Sequence, residues 1–169
     1  IDDFRVSPGA SYNAANTILE NNNTNNQSYQ YRYWTDKVVE VTSGNTYTAR
    51  IWVDNHDNIS HVRLWIDYNF DGDWDDPTER FPATSAAVNA SGYADISFTI
   101  PANTTSGTTR MRVQAVRGPS NTPCYDGDYS YEGEVEDYTV HVTQTGYTLT
   151  QETGGALPEQ VASVTIDAV

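Results

Sequence analysis

The feature that most constrains this chain is alternation at period two, in short runs broken by turn residues. Tyr47, Ala49, Ile51 and Val53 alternate with Thr48, Arg50, Trp52 and Asp54, and Val62, Leu64 and Ile66 alternate with Arg63, Trp65 and Asp67. Residues 93–100, 109–116 and 135–142 repeat the pattern. A period of two sends successive side chains to opposite faces of a strand, whereas no stretch here keeps a 3.6-residue period for three turns. Between the runs lie Ser43-Gly44-Asn45, Asp71-Gly72, Ser106-Gly107 and Asp126-Gly127, residues that let the backbone reverse. Short half-buried strands with frequent turns predict an all-β fold, an antiparallel β-sandwich of jelly-roll kind. Residues 13–20 are the one helix candidate. The 169 residues hold one ordinary domain. Residues 29–143 are expected to form the sandwich, 1–28 a strand-and-loop extension, and 144–169 a linker or an added strand. The ends, Ile1 and Val169, are those expected of a piece of a larger secreted precursor.

Charge narrows the partners. Asp and Glu total 23 against 9 Lys and Arg, a formal net charge of -14. Nucleic acid binding needs a basic stripe to displace counterions, and an anionic membrane surface is disfavoured on the same ground. No apolar run approaches the roughly 18 residues of a membrane-spanning helix. Cys124 is the single cysteine, so no disulfide closes within these residues and no thiolate zinc cluster can form.

The acid is concentrated. Six of the 23 carboxylates fall within residues 67–79, at positions 67, 71, 73, 75, 76 and 79, where Asp67, Asn69, Asp71 and Asp73 alternate before Asp75, Asp76 and Glu79. Oxygen ligands at alternate positions around a Gly let one loop wrap a hard cation, and a later carboxylate closes the shell. The spacing is not that of an EF-hand, because Thr78 stands twelfth and Glu79 thirteenth, and the entry element reads as a strand. Every candidate ligand is oxygen, which selects calcium over zinc. The expected ligands are Asp67, Asn69, Asp71, Asp73 and Glu79; the alternative is a solvated acidic turn.

A second cluster occupies residues 126–137 and leads into a strand. Gly133-Glu134-Val135-Glu136-Asp137-Tyr138 resembles the signature of the GEVED domain family, as do Val62-Arg63-Leu64-Trp65-Ile66-Asp67 before the acidic loop, Ile100-Pro101-Ala102, and Gly107-Thr108-Thr109-Arg110-Met111-Arg112-Val113. The resemblance runs from about Tyr33 to Val142. It implies a β-sandwich serving as an accessory module of a large secreted or cell-surface bacterial protein, such as a polysaccharide-degrading enzyme, a protease or an adhesin. Relatives often pair a cysteine near the position of Cys124 with an N-terminal one, which has no counterpart here. From the residues alone, Glu134, Glu136, Tyr138, Val140 and Val142 share a strand face. The two glutamates then need cations, and Arg110 and Arg112, also two apart, are the expected structural partners. A calcium contact from Glu134, Glu136 or Asp137 is the competing reading. A glycosidase pair is disfavoured, since neighbours on one strand do not flank a bond from opposite sides.

Aromatic residues supply the binding candidates. Tyr29, Tyr31 and Tyr33 alternate against Gln30, Arg32 and Trp34, and either fill the core or stack on sugar rings. Trp52 and Trp65 oppose the aliphatic residues of their strands, so an exposed sheet face carrying one of them with Arg50 and Arg63 is an equal candidate. Tyr125, Tyr129 and Tyr131 lie in a loop. The histidines are scattered, and no nucleophile-elbow pattern appears. The expectation is a monomeric, non-catalytic, calcium-stabilised module beside the catalytic domain of a parent chain, binding an extracellular polysaccharide. The alternative is a protein-binding or adhesion module that holds an insoluble protein matrix.

Overall fold

Each alternating run of the sequence is a strand. The computed structural model describes residues 1–22, 31–53, 61–117, 122–123 and 133–145. In chain order the strands are β1 (Asp3–Pro8), β2 (Leu19–Asn21), β3 (Tyr31–Thr42), β4 (Thr46–Trp52), β5 (His61–Ile66), β6 (Arg80–Ala87), β7 (Tyr93–Thr99), β8 (Gly107–Val116) and β9 (Gly133–Thr143). They form a four-stranded sheet in the order β2-β1-β4-β7 and a five-stranded sheet in the order β3-β9-β8-β5-β6. Residues 13–20, the helix candidate, hold a 3-10 turn at Ala14–Asn16 and then enter β2. Pairing of Leu19 with Val6 of β1 buries Leu19, which a helix on the surface would not.

The two sheets bury one face each against the other. Phe4, Ala49, Ile51, Ile96 and Phe98 come from the four-stranded sheet, and Leu64, Ile66, Met111, Val113, Tyr138 and Val140 from the five-stranded one. Phe4 and Tyr138 meet across the layers with ring centroids 4.6 Å apart, and Phe81 and Phe98 at 6.2 Å. Full burial of such side chains contributes roughly 1.5–3 kcal/mol each before entropy is counted, more than any exposed ion pair. β1 lies between β2 and β4 with Phe4 and Val6 fully buried, so residues 1–22 supply two strands of the fold.

One pairing departs from the antiparallel expectation. β3 runs parallel to β9, while the other strand pairs are antiparallel. Parallel neighbours need a long connection between them, and the chain from 42 to 133 is that connection. Within β3 the register slips: Trp34 pairs with Tyr138 but Val38 pairs with Thr139, leaving Thr35, Asp36 and Lys37 as a bulge. Three extra residues reverse the parity of the strand. Val39 and Val41 therefore enter the core, while Tyr31 and Tyr33, at the same odd spacing, are exposed.

Candidate functional site

The signature strand divides its residues between two faces. Gly133 opens β9 where a Cβ would lie 2.7 Å from Val116 Cγ1 and 2.8 Å from the Ala115 carbonyl oxygen, so no side chain fits. Glu136 and Tyr138 point inward. Tyr138 Oη donates to Glu136 Oε2 at 2.6 Å, Trp34 Nε1 donates to Oε1 at 3.1 Å, and Asn21 Nδ2 donates to Tyr138 Oη at 2.9 Å. This network ties β2, β3 and β9 together at the seam of the two sheets. Burial pushes the Glu136 carboxyl above its ordinary value, against the two donated hydrogen bonds, which favour the anion. Glu134, at the strand's start, meets the backbone nitrogen of Ile1.

Asp137 points outward and is fully buried. Arg112, its register partner on β8, grips it with both arms of the fork, Nε to Oδ1 at 2.6 Å and Nη2 to Oδ2 at 2.7 Å. Tyr31 Oη donates to Asp137 Oδ2 at 2.9 Å. The expected pairing of Glu134 and Glu136 with Arg110 and Arg112 is thus replaced. Met111 and Val113 face the core with Glu136, so Arg110 and Arg112 must share the opposite face with Asp137. The Arg112 guanidinium lies 4.1 Å from the ring centroid of Trp74, and that of Arg110 lies 4.9 Å from the same ring. Arg110 Nη2 donates to the Gly72 carbonyl oxygen at 3.2 Å, tying β8 to the acidic loop.

That loop is built from side-chain-to-backbone turns. Asp71 N donates to Asn69 Oδ1, Asp73 N to Asp71 Oδ1 and Asp75 N to Asp73 Oδ1, each at 2.9–3.0 Å. Phe70 and Gly72 take left-handed backbone with φ of 63° and 92°, curling the chain back on itself. Asn69, Asp71 and Asp73 are exposed, whereas Asp67 and Glu79 are buried at the two ends of the loop. Asp67 Oδ2 accepts from Gly72 N at 3.2 Å and Glu79 Oε1 from Tyr68 N at 3.0 Å. The second oxygen of each, Asp67 Oδ1 and Glu79 Oε2, is buried without a hydrogen-bond partner. Desolvation, reinforced by Asp67 and Asp71, holds the Glu79 carboxyl up at about 7, against the backbone donors of Tyr68 and Asn69. Among the described residues no three carboxylate, histidine or cysteine side chains are already gathered into a cage. The fit to a hard cation rests on the two orphaned oxygens and the all-oxygen donor set.

The remaining candidates separate. Tyr31 and Tyr33 are 51% and 43% exposed, on the edge strand of the five-stranded sheet. Register aligns Arg80, Trp65, Arg112, Asp137 and Tyr33 across the outer face of that sheet. Trp65 and Arg63 lie on the same face but are buried at 0% and 1%, so neither offers a binding surface. Arg50 and Trp52 are half-buried on the outer face of the other sheet. There Arg50 grips Asp95 at 2.6 and 2.7 Å and stacks near Tyr12 and Tyr93. The expected set of Trp52, Trp65, Arg50 and Arg63 is therefore split between the two sheets, with Trp65 and Arg63 on the side of Tyr31 and Tyr33 and Arg50 and Trp52 on the other. Tyr29, Cys124, Tyr125, Tyr129, Tyr131, Glu132 and residues 146–169 lie outside the described residues. Sequence reasoning did not single out Trp74 or Asp137 as partners of the arginines. The parity of Met111 and Tyr138, both apolar and inward, was the available signal for Asp137.

Fold and site together define an all-β domain of two packed sheets whose signature strand carries an inward glutamate latch and an outward arginine–aspartate clamp. Residues 61–141, from β5 into β9, match the family model of the GEVED domain. No curated protein sequence matches the chain. Among solved structures it is similar to a family 123 glycoside hydrolase from Clostridium perfringens, described for glycolipid glycan hydrolysis, at 14% identity and a TM-score of 0.32. That match covers 64% of this chain and 23% of the hydrolase, so the chain spans about a quarter of that protein's length. It is also similar to a putative bacterial DNA-binding protein from Bacteroides vulgatus, at 8% identity and a TM-score of 0.32, covering 85% of this chain and 68% of the other.

Proposed function

We propose that this chain is a non-catalytic, calcium-stabilised accessory module of a larger secreted or cell-surface bacterial protein. Its two sheets form a jelly-roll-like sandwich, and it holds an extracellular polysaccharide on the tyrosine-bearing edge of the five-stranded sheet. One observation carries the reading: Tyr31 and Tyr33 stand exposed on one side of β3, outside the core that takes up Phe4, Tyr47, Tyr68, Phe98 and Tyr138. Tyr31 is locked to Asp137, so part of this platform is ordered before a ligand arrives. Flat rings with a fixed hydroxyl suit the apolar face of a sugar and its polar rim.

Two features support a binding role without turnover. Glu136 is buried and engaged by Trp34 and Tyr138, and Asp137 is held by Arg112 and Tyr31, which leaves these two of the three signature acids unavailable to a glycosidic bond. The orphaned oxygens of Asp67 and Glu79 support a calcium ion held by Asp67, Asn69, Asp71, Asp73 and Glu79. When bound, such an ion supplies charge neutralisation and rigidity.

Retention of the 169-residue chain in native gels cast with individual polysaccharides tests the function. At least one polysaccharide is expected to retard the chain, and Tyr33→Ala is expected to release it without changing its melting temperature. Soluble product from any substrate would overturn the non-catalytic assignment. Adsorption to a protein matrix such as collagen, with no glycan retained, would favour the adhesion alternative.

A further inference from the structure

Beside the acidic loop the outer face of the five-stranded sheet opens into a cleft of about 260 Å³, lined by Tyr33, Asp67, Phe70, Gly72, Thr109 and Arg110 among others. The size falls just below the roughly 300 Å³ at which small-molecule pockets begin, which suits one unit of a longer chain. Exposed Tyr33 forms one wall. Arg110 forms another, and its guanidinium differs from those of Arg5, Arg50 and Arg112. Each of those three is paired with a carboxylate, whereas among the described residues Arg110 is bonded only to the Gly72 carbonyl and stacked by Trp74. A guanidinium carries five donors in a planar fork that matches a carboxylate. In a chain of net charge -14, a half-buried arginine with no acidic partner among the described residues, beside an exposed tyrosine, suits recognition of an anion.

The same cleft presents an obstacle. Asp67 lines it, and the loop that bounds it holds six carboxylates, close enough for weakly screened repulsion of any anion. Two of the residues that line it, Asp67 and Thr109, each carry a buried oxygen, Oδ1 and Oγ1, without a hydrogen-bond partner. A divalent cation on the loop would satisfy the first and remove two units of negative charge from the cleft wall.

We infer that this cleft takes a uronic acid unit of an acidic polysaccharide, with Arg110 on the sugar carboxylate and Tyr33 on the ring, and that calcium in the adjacent loop is required for the anion to enter. The inference rests on the polysaccharide-binding reading above and names its ligand class. Calcium and uronate binding are then linked, each strengthening the other by the same factor.

Isothermal titration of the full chain with tetragalacturonate, and with a neutral gluco-oligosaccharide of equal length, tests it in calcium and in chelator. Blank titrations of sugar into calcium buffer remove direct complexation. The uronate is expected to bind in calcium and to weaken about ten-fold or more in chelator. Arg110→Gln is expected to cost about ten-fold in uronate affinity at an unchanged melting temperature, in line with one lost charge-assisted contact. Arg110→Lys should recover part of it, and Tyr33→Ala, at an exposed site, should weaken binding independently. Equal affinity for the neutral oligosaccharide, an unaffected Arg110→Gln, or uronate binding indifferent to chelator would overturn the inference while leaving polysaccharide binding in place. Binding of neither sugar would overturn both.

Discussion

At the scale of single residues, the signature reads as a set of separate physical tasks set by parity. Glu136 and Asp137 are adjacent carboxylates, yet one is sealed in the seam of the sheets and the other clamped on the outer face. Their neutralisation differs accordingly. Asp137 is held by a two-pronged arginine, and breaking a buried pair by removing one partner costs about 3–5 kcal/mol. Arg112→Met is therefore expected to destabilise by about that amount in urea unfolding, and Arg110→Met, which breaks no ion pair, by about 0–1 kcal/mol. Similar losses for the two would refute the assignment of the clamp. Glu136 has a folded pKa raised above its unfolded value of about 4.5 by burial. Its contribution to stability is then full below about pH 4.5 and is lost as pH rises through the folded pKa. Replacing it by Gln is expected to flatten the fall in stability over that window, while an unchanged pH profile would show that the carboxyl is solvated. That Glu134 and Glu136 share a face was legible in the sequence. Their partners were not, because two arginines two apart show a common face without showing which face.

At the scale of elements, period two located β4, β5, β7, β8 and β9, where one face is largely apolar. It failed at β3, where Thr35, Asp36 and Lys37 bulge from the pairing and carry no apolar signal. Without that bulge Tyr31 and Tyr33 would sit on the face of Val39 and Val41 and fill the core. The slip is what makes them a surface. The short β2 was also hidden, because three residues are too few to show alternation and the preceding Ala14–Asn16 turn mimics the start of a helix. In the acidic loop the pattern of alternating oxygens was plain, and the structure adds which acids are buried. Asp67 and Glu79 anchor the two ends, each with one orphaned oxygen. Chelation is accordingly expected to lower the melting temperature by several degrees, as a loss of a few kcal/mol does in a domain of this size. Asp67→Asn should remove the response to added calcium, and identical melts in chelator and in excess calcium would refute a cation site there.

Across the whole molecule, the two outer sheet faces differ in what they leave available. On the four-stranded sheet Arg5 and Arg50 are engaged by Asp3, Glu20 and Asp95 and wrapped by Tyr12, Trp52 and Tyr93, a face whose polar groups are mutually satisfied. On the five-stranded sheet Tyr31, Tyr33 and Arg110 stand beside a cleft and an acidic loop. Neither the sidedness nor the separation of Trp52 from Trp65 could be read from the linear pattern, since both follow from which strands share a sheet. The account therefore places the ligand on β3 and β8 and not on β4. The most direct test is mapping of amide and arginine side-chain NMR shifts of the full chain, in calcium, on titration with a retained polysaccharide fragment. The account predicts perturbations centred on Tyr31, Tyr33, Gly72 and Arg110, with Arg50, Trp52 and Tyr93 silent. Perturbations centred on Arg50, Trp52 and Tyr93 instead would contradict it.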